Sequence, residues 1–133
     1  MNKAELEKYI SLKNEAEELR LQAEYLEDDI KNLKAVVIDG MPKGSSVNDS
    51  IGNLVARADK LRIEYLKKYD LALCELYKIE RCIEGLEDET ERRLMRKRYI
   101  QGLRWEDICI DLNYCWQHIH KIHARILRKI SDM

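Results

Sequence analysis

The sequence contains no phenylalanine, one proline and five glycines in 133 residues. With so few turn-formers and almost no alternation of β-branched and polar residues, a sheet architecture is excluded and long uninterrupted helices remain. No segment approaches 18 consecutive apolar residues, so no membrane-spanning helix and no membrane partner are expected. The opening MNKAELEKYI lacks the apolar stretch of a secretory signal, which implies a cytoplasmic location. Four cysteines, at positions 74, 82, 109 and 115, form no C-x-x-C pair, and in that compartment they are expected as reduced thiols. There is no Gly-rich phosphate loop, no carboxylate pair set for acid–base work and no Ser/His/Asp set, so neither enzymatic activity nor a cofactor is expected.

Charge is abundant instead, at 37% of residues, and the net value of −1 hides an asymmetry. Residues 1–37 carry 6 basic and 9 acidic side chains, residues 38–89 carry 8 and 11, and residues 90–133 carry 10 and 5. A basic C-terminal segment behind an acidic remainder points to a nucleic-acid partner for that segment. Cys115, His118, His120 and His123 crowd the same stretch and raise the question of zinc. His118 and His120 lie about 200° apart on a helix, so no single face gathers the set and no metal site is expected.

Along the chain, residues 3–37 place Tyr9, Ala16, Ala23, Ile30 and Val37 in one heptad position and Leu12, Leu19, Leu26 and Leu33 in another. That seam fits a coiled coil or a helix lying along a second helix of the same chain. Asp39 to Ser50, DGMPKGSSVNDS, reads as a loop whose Asn48, Asp49 or Ser50 caps a second helix from about Ile51 to Leu86. The stripe of this helix runs through Leu54, Ala58, Leu61, Tyr65, Tyr69, Ala72, Leu76, Ile79, Ile83 and Leu86. A loop of a dozen residues favours an antiparallel hairpin. Leu71, Leu73, Cys74 and Tyr77 fall off the stripe and call for a second neighbour, either the C-terminal segment or another protomer, so a homo-oligomer is expected. The organisation expected is thus a helical hairpin or oligomerisation region over 1–87 and a DNA-binding domain over 88–133.

Asp88 with Glu91 approximates a capping box for a helix running to Ile100. Trp105, Ile108 and Leu112 then form the stripe of a short helix, and Asn113 suits the left-handed turn that ends it. With Cys115 as N-cap and Tyr114 stapled against Ile119, the next helix starts at Trp116 and buries Ile119, Ile122, Ile126, Leu127 and Ile130. Two helices joined by a three-residue turn, the second basic on its outer face, is the geometry of a helix-turn-helix.

At these residues the run ERRLMRKRYIQGLRWEDICIDLNYCWQHIHKIHARILRKI resembles the promoter-reading region 4 of bacterial sigma factors, over roughly Asp88 to Ile130. The Arg98-Tyr99 pair, the Gly102 break, the Trp-Glu-Asp-Ile start and the Ala-x-x-Leu-x-x-Ile tail carry the likeness. Arg104 and Cys115 depart from it, since Ser or Thr caps both helices in that family. The whole chain, with its Met41-Pro42-Lys43-Gly44 loop between two long helices, resembles phage-encoded late-transcription regulators of the ArpU and RinA kind. The resemblance implies an all-α transcription regulator acting on double-stranded DNA in the cytoplasm of a bacterial host. It also implies a possible contact to RNA polymerase or a sigma factor, and the remaining alternative is a helical scaffold without DNA binding.

On that reading the recognition helix spans about 116–130, with Gln117, His120 and Lys121 facing bases and Trp116, His118 and Arg125 flanking them. Trp116 stands between a packing role and a DNA contact. Arg92, Arg93, Arg96, Lys97, Arg104 and Arg128 are expected against phosphates, where they add affinity without sequence information.

Overall fold

The computed structural model describes the backbone of residues 1–38 and 45–132 and the side chains of residues 1–36 and 49–132. The protein is all-α. Helices α1 (Lys3–Ile38) and α2 (Ser45–Glu84) precede three short ones, α3 (Glu89–Met95), α4 (Trp105–Leu112) and α5 (Trp116–Ser131), and a π-helical turn, Arg96–Ile100, extends α3. Among the described residues there is no strand and no helix long and apolar enough to cross a membrane.

The start of α1 is a reciprocal capping box. The Asn2 side chain accepts from the Glu5 backbone N–H at 2.9 Å, and the Asn2 N–H donates to the Glu5 carboxylate at 3.0 Å. Of the loop expected over 39–50, residues 45–50 are helical, and Asn48, Asp49 and Ser50 lie inside α2 rather than capping it. Ser, Asn and Asp are weak helix formers because they compete locally for backbone hydrogen bonds, but that preference amounts to only tenths of a kcal/mol per residue and yields to the rest of a long helix. The Met41-Pro42-Lys43-Gly44 segment and the Val37 side chain lie outside the described residues.

The chain forms two compact units, residues 13–69 and residues 1–12 with 70–133, so the division does not follow a cut after residue 87. In residues 13–69 the two long helices run antiparallel. Glu27 pairs with Arg62 at 2.8 Å, Lys68 with Glu15 at 2.8 Å, and the Tyr69 hydroxyl donates to Glu17 at 2.5 Å. Ala16, Ala23, Ile30 and Ala58 are buried along this seam, while Leu19, Leu26 and Leu33 are half-buried. Alanine brings the backbones close but removes little apolar surface from water.

In the other unit, Leu6 and Tyr9 of α1 and Ala72, Ile79 and Ile83 of α2 share one core with Leu94, Met95, Tyr99, Ile108, Ile119 and Ile126. The helices that follow residue 88 therefore bury their apolar faces with help from the chain's first dozen residues. Leu71, Leu73 and Tyr77 remain more than half exposed, so the C-terminal helices do not cover them.

Candidate nucleic-acid interface

Asp88 caps helix α3, its carboxylate accepting from the Thr90 N–H at 2.8 Å. Glu91 does not complete the expected capping box. Its side chain is fully buried and accepts from Lys129 at 2.8 and 3.1 Å and from Arg125 Nε at 3.1 Å. Arg125 and Lys129 stand one turn apart on α5, so a single carboxylate holds that helix against α3 through two cations. Arg125 also lies 4.0 Å from Asp88.

The helix expected to reach Ile100 as regular α changes to π after Met95, with Gln101 N–H donating to Arg96 C=O at 2.9 Å. Gly102 then takes φ +70°, a left-handed conformation that favours glycine, and a Cβ there would stand 3.3 Å from the end of the Ile10 side chain. The turn between α4 and α5 is built as the sequence suggests. Asn113 adopts φ 61° and ψ 42°, its N–H donates to Ile110 C=O, and Tyr114 N–H donates to Cys109 C=O at 3.1 Å, the paired bonds of a Schellman motif. Cys115 is the N-cap of α5 without a side-chain cap bond, and Arg104 caps α4 equally without one. Tyr114, expected to staple against Ile119, sets its ring edge-on to His118 at 4.8 Å.

The inner face of α5 buries Ile119, Ile122, Ile126 and Ile130 as expected, leaves the expected Leu127 half-buried, and adds His123. His123 Nε2 lies 2.6 Å from the Tyr99 hydroxyl. Burial, reinforced by Lys3, lowers the His123 pKa to about 4, and burial together with Glu7 raises Tyr99 to about 12. Both groups are thus neutral near pH 7, and the phenol can donate to the unprotonated Nε2. The Trp105 ring lies 4.7 Å from His123 and 4.8 Å from His120, with the Arg98 guanidinium 4.7 Å from its centre. His120 in turn touches Trp116 at 4.4 Å. Its Nε2 is buried with no hydrogen-bond partner among the described residues.

The outer face of α5 presents Trp116, Gln117, Lys121 and Arg128 to solvent together, with His118 at one edge and His120 half-buried at the other. Among the described residues Gln117 and Lys121 have no side-chain hydrogen bond or ion pair, and Arg128 bonds only to the Ala124 carbonyl of its own helix. No family model, curated protein or solved structure matches this chain. The residues expected against phosphates divide. Arg92 donates to the carbonyls of Leu86 and Glu87, both at 2.8 Å, closing the end of α2; Lys97 pairs with Asp111 at 3.3 Å, and exposed Arg104 with Asp107 at 3.3 Å. Arg93 and Arg96 are exposed and, among the described residues, unpaired. Arg96 shares a cleft with Glu80 and Glu84. Glu91, Lys129, His123 and Arg98 escaped the sequence reading as parts of the site. The one signal for His123 was a phenol at 99 on a buried face, which requires a polar partner.

Proposed function

We propose that the protein is a sequence-specific regulator of transcription that reads double-stranded DNA with the outer face of α5, in the manner of the phage late-gene regulators it resembles. One observation carries the reading. A short basic helix, locked on its inner side by an apolar stripe and the Glu91 clamp, leaves Gln117, Lys121 and Arg128 unengaged by other side chains and facing outward. Such a surface matches the donor and acceptor pattern of a major groove, where Gln bonds adenine and Lys reaches guanine. Arg93, Arg96 and Arg128 serve phosphates, whereas Arg92, Lys97 and Arg125 serve the fold first. Two molecules reading adjacent half-sites would use the uncovered Leu71, Leu73 and Tyr77 of α2 to associate.

The test is binding of the full chain to random duplex pools across a salt series, followed by Gln117→Ala and Lys121→Ala. Each should cost about 1–3 kcal/mol on the selected sequence and little on random DNA, while Arg93→Ala or Arg96→Ala should lower the salt slope by about 1. Absence of salt-dependent duplex binding would remove the reading. Ile110, on the outer side of α4, is 76% exposed and supports a second reading, a docking contact to RNA polymerase or a sigma factor, which co-purification with and without Ile110→Ser separates from DNA binding.

A further inference from the structure

We infer that the outer face of α5 selects thymine through its 5-methyl group, an inference that rests on the DNA-reading role proposed above. Trp116, Gln117, His120, Lys121 and Ala124 surround a shallow, mostly apolar indentation. It exists because Ala124 is short while its neighbours one turn back, His120 and Lys121, are long. The indole of Trp116, half exposed, forms one wall, and His120 cannot turn outward because its ring is held between Trp105 and Trp116. The hollow is therefore built by packing beneath the surface.

A major groove offers one apolar projection to such a hollow, the C5-methyl of thymine, and surrounds it with purine N7 and O6 acceptors and the adenine amino group. The polar rim fits those neighbours. Gln117 can bond the N6 and N7 edge of an adenine beside the thymine, and the Lys121 ammonium can meet an N7 or O6. Ten basic against five acidic side chains over residues 90–133 bring the polyanion to this face. A methyl seated against an indole and an alanine loses its water on binding, and so contributes affinity that uracil, lacking the methyl, cannot supply.

The experiment uses the full chain and a duplex selected from random DNA, in which each thymine is replaced singly by deoxyuridine, leaving every Watson–Crick bond intact. At one or two positions the replacement should weaken binding about 3–5-fold, the worth of one buried methyl. A second arm fills the hollow. Ala124→Leu lies at an exposed position, so folding is preserved, as a thermal melt would verify, and this variant should bind the thymine and deoxyuridine duplexes equally. Two results overturn the inference while leaving DNA reading intact: unchanged affinity at every replaced thymine, or a deoxyuridine penalty of the same size in Ala124→Leu. Absence of sequence-dependent duplex binding overturns both.

Discussion

Removing the two cations that face Glu91 should be far more damaging than removing either one. The Glu91 side chain is 1% exposed, while those of Arg125 and Lys129 are 53% and 49% exposed. Each cation can return to water when unpaired; the carboxylate cannot. Arg125→Ala or Lys129→Ala alone leaves Glu91 one charged partner, and each should cost about 1–1.5 kcal/mol, the worth of a charge-assisted bond discounted for a half-exposed donor. The double variant strands a carboxylate in the core, where an uncompensated buried charge costs about 3–5 kcal/mol. The excess over the sum of the singles, about 1–2 kcal/mol, is the coupling to be measured by urea unfolding followed by helical circular dichroism. Adding Glu91→Gln to the double variant should recover part of the loss, because a neutral amide needs no counter-charge. Strictly additive single losses, or no recovery with the amide, would refute the idea that one carboxylate clamps α5.

Other consequences are equally direct. Cys115→Ser supplies the missing cap of α5 and should stabilise the protein by about 0.5–1 kcal/mol; a lower melting temperature would mean that the thiol has a packing role. Gly102→Ala should cost about 1–3 kcal/mol from its left-handed conformation, and a variant as stable as the parent would contradict the φ of +70°. His123 has its pKa lowered in the fold to about 4 from an ordinary 6.5, so the unfolded chain binds the extra proton between those values. Its contribution to stability is complete above about pH 6.5 and is lost as pH falls towards 4, on the order of 3 kcal/mol across the window. Urea midpoints taken at pH 7, 5.5 and 4.5 should fall more steeply for the parent than for His123→Gln; parallel declines would exclude the histidine as their source.

The α4–α5 corner was legible because its determinants are local. Asn113 tolerates the left-handed turn, the stripe from Ile119 to Ile130 keeps one period, and Cys115 precedes it by the length of a cap. The heptad of α1 was legible for the same reason, since it is a pattern in one helix, but it fitted a coiled coil and a neighbour in the same chain equally, and only the length of the expected loop favoured the antiparallel pairing. Glu91 was not. Asp88 three residues before it offered a sufficient local role, while its true partners stand 34 and 38 residues away in the chain. His123 was hidden because an imidazole interrupts an otherwise apolar face, and only the fold brings the Tyr99 hydroxyl to it. The cations before α4 read as one phosphate-facing group, but spacing alone cannot distinguish Arg93, which points to solvent, from Arg92, which closes α2. The π turn over Arg96–Ile100 has no signature in the spacing of these residues.

The alanine seam also bears on how the molecule opens over time. Among the described residues, 13–69 bury mainly Ala16, Ala23, Ile30 and Ala58, whereas the other unit encloses Leu6, Ile79, Ile83, Leu94, Tyr99, Ile108 and Ile126 almost completely. Opening free energy follows the apolar surface a segment would expose, so amide protons in the two units should exchange with solvent on separate timescales. Helices α1 and α2 each cross from one unit into the other, so a single helix should hold both fast- and slow-exchanging amides, with the change of rate near Leu12 on α1 and near Tyr69 on α2. Continuous hydrogen bonding along a helix thus does not make it one cooperative element.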